Sequence, residues 1–139
     1  VLEHVLESLY AYSGLYVVLG ESMLGERLPF THDRLRIIRD YPNTMYAHAF
    51  DASVQAGGYN SYQEMRRFGI PTLFIPNTGT GMDDQLARCQ ISEKEGWGVV
   101  NESLSVKNLQ KDIEKLFKLP KKPQNTVANG AEEVAHLLF

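Results

Sequence analysis

Short apolar runs take turns with helix-period segments along most of this chain, and that alternation limits its possible folds more than any other feature. "LYVVLG" (15–20), "RLRIIRD" (34–40), "ASVQA" (52–56), "TLFIP" (72–76) and "WGVVN" (97–101) are too short for helices and read as strands. The unbroken apolar stretch Leu15 to Leu19 predicts a strand covered on both faces. Helical spacing occurs in 1–12, where Val1, Leu2, Val5, Leu6, Leu9 and Tyr12 share a face and Glu3, Glu7 and Ser8 fall elsewhere. Gly14 closes that helix. Further helices are expected after Pro42 up to Phe50, over 60–69 with Gly69 as terminator, and from a cap at Asp83 or Asp84 to Glu95 with Gly96 as stop. Another covers 105–117, with Val106, Leu109, Ile113, Leu116 and Phe117 aligned. Residues 120–128 read as a linker, and Asn129 with Glu132 as a capping pair for a terminal helix over 129–139. Strands alternating with helices across short connections predict one α/β domain over 1–139, a Rossmann-like parallel sheet with helices on both faces.

The 139 residues suit such a domain, able to bury roughly 68% of its unfolded surface. A net charge of −3 supplies no general attraction for nucleic acid or an anionic membrane, and the apolar runs are too short to span a bilayer. The single cysteine, Cys89, excludes an internal disulfide and fits a reducing, cytoplasmic compartment. No signal-peptide pattern is present. The chain opens at Val1 rather than Met, directly into a helix, which suggests a piece of a longer protein.

In parallel α/β sheets, ligands bind beyond the carboxyl ends of strands. Two glycine-marked polar turns fall at such ends: "AGGYNSYQE" (56–64) and "PNTGTGMDDQ" (76–85). Gly57 and Gly58 let an anionic ligand approach the backbone, and Asn60 and Ser61 open a helix whose N–H groups and dipole favour phosphate. Glu64, one turn on, can accept hydrogen bonds from vicinal hydroxyls such as those of a ribose, and Asp84 and Gln85 suit sugar hydroxyls. Thr78, Gly79 and Thr80 lie on the second loop, either as further contacts or as plain surface. The simpler alternative is a turn with an Asn-Ser cap, a solvated Glu64 and an Asp83-Asp84 pair complementing a helix dipole. Neither G-x-x-x-x-G-K-[ST] nor G-x-G-x-x-G occurs. His4, His32, His48 and His136 are scattered, so neither a metal set nor a catalytic dyad is expected, and no cofactor is implied. Asp51 reads as a local turn residue, Cys89 as packed, and Trp97 as the start of a strand with base stacking the weaker option. Lys118, Lys121 and Lys122 read as a solvated linker.

Taken together, "GGYNSYQEMRRFGIPTLFIP" followed by "DDQLAR" resembles the donor-binding signature of GT-B glycosyltransferases. The plant enzymes that use UDP-sugars carry approximately H-C-G-W-N-S-x-x-E, then G-V-P, a proline, and D-Q-x-x-N-A. Here Gly58-Tyr59-Asn60-Ser61 stands for G-W-N-S, Glu64 for the glutamate, Gly69-Ile70-Pro71 for G-V-P, Pro76 for the proline and Asp84-Gln85 for D-Q. The bacterial N-acetylglucosaminyltransferase that forms lipid II is similar in its glycine, glutamate, G-x-P and glutamine layout. Ala56 departs from the plant histidine, Arg88-Cys89 departs from N-A, and the 77–83 loop is longer.

The resemblance implies the C-terminal half of a GT-B fold lacking its first strand. It implies Gly57, Gly58, Asn60 and Ser61 at the diphosphate of a UDP-type donor, Glu64 at the ribose, and Asp84 and Gln85 at the transferred hexose or N-acetylhexosamine. It further implies an acceptor-binding lobe or separate subunit that carries the catalytic base, so that this piece alone is inactive. A nucleotide-sugar 2-epimerase of the same architecture and a non-catalytic nucleotide-binding or partner-docking subunit stay open as alternatives.

Overall fold

A computed structural model describes residues 1–39, 42–79, 81–121 and 131–138. The five strands form where the apolar runs lie, each shorter than its run: β1 (Val17–Gly20), β2 (Leu35–Ile38), β3 (Ser53–Gln55), β4 (Thr72–Phe74) and β5 (Gly98–Val100). The helices are α1 (Leu2–Tyr10), α2 (Tyr59–Phe68), α3 (Gln85–Lys94), α4 (Val106–Phe117) and α5 (Ala131–Leu138), with a short 3-10 helix at Asn43–Ala49. All strand pairs among the described residues are parallel. β1 pairs with β2 from Val17↔Leu35 to Gly20↔Ile38, while β3, β4 and β5 form a separate ladder in that order.

The pleat sends neighbouring residues of β4 to opposite faces, and each face meets helices. Leu73 joins Val99 against Val5 and Leu9 of α1 and Leu109, Ile113 and Leu116 of α4. Phe74 joins Tyr62 and Met65 of α2, Cys89 of α3 and Trp97 on the other side. Helices on both faces of the sheet are therefore realised. Leu109, Ile113 and Leu116 are no more than 1% exposed, so truncating any of them to Ala should cost about 2–5 kcal/mol. Gly69 closes α2 in the left-handed conformation (φ +64°), and Ser105 caps α4 by accepting from Asn108 N–H at 3.3 Å.

The single sheet expected from the sequence is present as two ladders. The doubly wound strand order 3-2-1-4-5-6 with strand 1 left out gives the two pieces observed, 2-1 and 3-4-5 in this chain's numbering. Leu15 and Val17 pack against the same core as Ala52 and Val54, which ties the two ladders to one body.

Several local expectations change. The 15–19 strand is not covered on both faces: exposure alternates along it, with Val18 42% and Tyr16 74% exposed. An apolar run records which residues tolerate burial, and here the α1–α4 core covers one face only. Ser8, assigned away from the apolar face, is fully buried and donates from Oγ to His4 O at 2.7 Å. Lys121 is not merely solvated: its ammonium donates to His48 O (3.1 Å) and Phe50 O (2.6 Å). Arg34, entering β2, satisfies carbonyls at the end of α1, donating to Tyr10 O at 2.8 Å and to Tyr12 O. Lys122, most of the 120–128 linker and Asn129 lie outside the described residues.

Candidate functional site

Because β3 and β4 run parallel in register, their carboxyl ends share one edge, and both glycine-marked turns leave the sheet there. The first turn is shaped by Gly57, whose φ of +90° disfavours any residue with a Cβ. A Cβ at this position would also stand 2.5 Å from Cys89 Sγ, so any side chain here would force the packed sulfur to shift, independently of the backbone angle. At Gly58 the opposite holds, since a Cβ there meets nothing within 4 Å. This residue borders open space.

Gly58 is the N-cap of α2, and the helix starts at Tyr59, so Asn60 and Ser61 lie inside its first turn and do not cap it. No side chain caps this helix, in contrast to α3 and α4. The first helical bond runs from Tyr62 N–H to Gly58 O at 2.9 Å. Asn60 is exposed, while Ser61 and Glu64 are half-buried, Glu64 less open than a solvated helix residue.

The second turn borders a shallow depression of about 440 Å³, lined in part by Asn77, Thr78, Met82, Asp83, Asp84 and Gln85. Asp84 caps α3, its Oδ1 accepting from Ala87 N–H at 2.9 Å. Gln85 Oε1 accepts from Asn77 N–H at 3.0 Å, and Asn77 Oδ1 accepts from Gly79 N–H at 3.0 Å, which shapes the loop from within. Thr78 and Gly79 are exposed, and Thr80 lies outside the described residues. Asn60, Ser61 and Glu64 do not line this depression. Gln85 reaches toward the first turn, its Oε1 lying 3.8 Å from where a Gly57 Cβ would be.

Arg88 joins the two turns, and sequence reasoning missed it, noting the residue only as a departure from a motif. Its guanidinium donates to Gly57 O at 2.9 Å and to both carboxylate oxygens of Asp83. It also lies over the Tyr59 ring, 5.4 Å from the centroid. The hydrogen bond from Arg88, reinforced by its charge, lowers the Asp83 carboxyl pKa against the opposing effect of desolvation. Cys89, the next residue, is fully buried, and burial pushes its thiol up to about 11, so it is a packed group and not a nucleophile. Trp97 is 4% exposed, donates to Glu95 Oε2 at 2.8 Å and packs on Tyr62 and Phe74, which removes it as a stacking surface for a base. His48 meets Phe68 edge-on, and His32 stacks on Tyr10. Among the described residues no group of three or more His, Cys, Asp or Glu is placed to hold a metal ion. Nor is any helix among them long and apolar enough to cross a membrane.

No protein-family profile matches the sequence, and neither does any curated protein. Solved structures do. A spinosyn forosaminyltransferase, SpnP, superposes with a TM-score of 0.66 at 16% identity over 84% of this chain and 29% of its own. The glycotransferase of kitacinnamycin superposes with a TM-score of 0.67 at 19% identity over 98% of this chain and 33% of its own. The chain has a GT-B glycosyltransferase fold. It spans about a third of the length of the structures it matches.

Proposed function

We propose that residues 1–139 form the donor-binding lobe of a glycosyltransferase that moves a hexosyl or N-acetylhexosaminyl group from a UDP-linked donor to an acceptor held elsewhere. The observation that carries this reading is the edge itself: an uncapped helix start behind a Gly57 where any side chain would displace Cys89, beside the Asp84–Gln85 turn, in a GT-B fold. Gly57, Gly58, Asn60 and Ser61 hold the diphosphate, where N–H groups and the positive end of α2 stabilise charge on the leaving group. Glu64, one turn further and half-buried, accepts from the ribose hydroxyls. Asp84 uses one acceptor site for its cap, and a carboxylate has about four, so it can still accept from a sugar hydroxyl. Gln85 faces the same sugar, with Thr78 and Gly79 on the exposed loop beside it. No step of this scheme needs a metal or cofactor from these residues.

The split of the strands into β1-β2 and β3-β4-β5 fits a further strand supplied from outside the 139 residues, and the acceptor lobe or subunit brings the base. The lobe alone should therefore hold nucleotide weakly and transfer nothing. Its buried, unpaired thiol suits a reducing compartment such as the cytoplasm. Donor affinity in variants tests the assignment. Ser61→Ala should weaken UDP binding by roughly 1.5–3 kcal/mol, the range for hydrogen bonds to charged groups, and Glu64→Ala should weaken it through the ribose. Unchanged affinity in both, with melting curves intact, would reduce the turn to a structural feature.

A further inference from the structure

We propose that Arg88 is a positioning residue of this site, setting both the direction of the first donor N–H and the spacing between the two turns; the proposal rests on the donor reading above. A trans peptide is planar, with its carbonyl and N–H pointing in opposite directions. Arg88 holds Gly57 O at 2.9 Å, so it fixes the plane of the Gly57–Gly58 peptide and with it the direction of the Gly58 N–H. That N–H precedes the uncapped first turn of α2, at a residue bordered by open space. The charged donor also polarises the peptide it holds, strengthening the N–H on the far side.

The same guanidinium grips both oxygens of Asp83, the residue before the α3 cap, and its face covers the Tyr59 ring. One planar group thus spans residues 57 to 59 on one side and 83 on the other. Several donors fixed in a fork permit this, whereas a lysine ammonium is a single point of charge on a flexible stem. A ligand that touches only the first turn depends on the peptide plane. A ligand that reaches both turns depends on the plane and on the spacing, so a nucleotide sugar should feel the loss of Arg88 more than the free nucleotide does.

Two readouts on the intact chain, compared between wild type, Arg88→Lys and Arg88→Met, test this. The first needs no ligand: amide shifts and N–H residual dipolar couplings of Gly58 and Tyr59, with melting curves to confirm folding. The second is affinity for UDP, UDP-glucose and UDP-N-acetylglucosamine. The Gly58 N–H should change direction and its amide resonance should shift in both variants, by more than amides distant from the turn, because Gly57 O has lost the guanidinium that held it. Affinity for at least one UDP-sugar should fall several-fold further than affinity for UDP. If both readouts stay at wild-type values, or only one moves, the positioning role is overturned while the donor reading stands. Wild-type protein that binds none of the three nucleotides overturns the donor reading itself, and the donor role of Arg88 with it.

Discussion

Gly57→Ala probes the first turn most sharply, because two separate costs meet at one atom. At φ +90° an alanine is held in a sparsely populated region, at a cost of order 1–3 kcal/mol. Its Cβ would stand 2.5 Å from Cys89 Sγ, and Cys89 is fully buried in the same cluster as Phe74, so overpacking should add roughly 1–3 kcal/mol. The sum, about 2–6 kcal/mol, is a large share of the roughly 5–15 kcal/mol that stabilises a domain. Urea unfolding followed by the fluorescence of Trp97, the only tryptophan and 4% exposed, reads the loss directly. Cys89→Ala removes the steric part and leaves the backbone part. The double variant should therefore be more stable than the two single losses predict by about 1–3 kcal/mol. A loss under about 1 kcal/mol for Gly57→Ala, or additivity within about 0.5 kcal/mol, would refute the packing argument.

Asp84→Ala and Ser105→Ala each remove a helix cap and should cost about 1 kcal/mol of stability. Only Asp84→Ala should also lower sugar transfer by the full protein more than UDP binding; equal losses in both would remove this turn from the sugar. Cys89 supplies a pH dependence: its folded-state pKa of about 11 exceeds the unfolded value near 9.0, so its stabilising effect is complete below pH 9 and is lost as pH rises toward 11. Wild type minus Cys89→Ala should show that loss as about 2–3 kcal/mol, and parallel pH profiles of the two proteins would contradict it.

The strands and helices were legible because apolar period and punctuation are local signals. Gly69 and Gly96 ended their helices as read, and both adopt positive φ. Asp84 caps α3 as expected, whereas Ser105, expected as the first residue of its helix, is the cap of α4. What escaped the sequence depends on neighbours distant along the chain. Val18 is exposed because core packs on one face of β1, a fact no run of apolar letters encodes. Ser8 is buried because its hydroxyl bonds to His4 O within its own helix, which frees it to sit in a core.

At the site, glycines and polar turn residues marked both loops. Their coupling was hidden, since Arg88 reaches back 31 residues to Gly57 O. Equally hidden was the contact that makes Gly57 a glycine, because Cys89 arrives from another helix.

The central claim is that both turns serve one nucleotide-sugar site, and backbone amide shifts during titration with UDP and then a UDP-sugar test it most directly. The account predicts that UDP moves amides of 57–61 and that the sugar nucleotide adds changes around 83–85, all on the edge where β3 and β4 end. Shifts that miss both turns, or that cluster at the opposite ends of the strands, would contradict it.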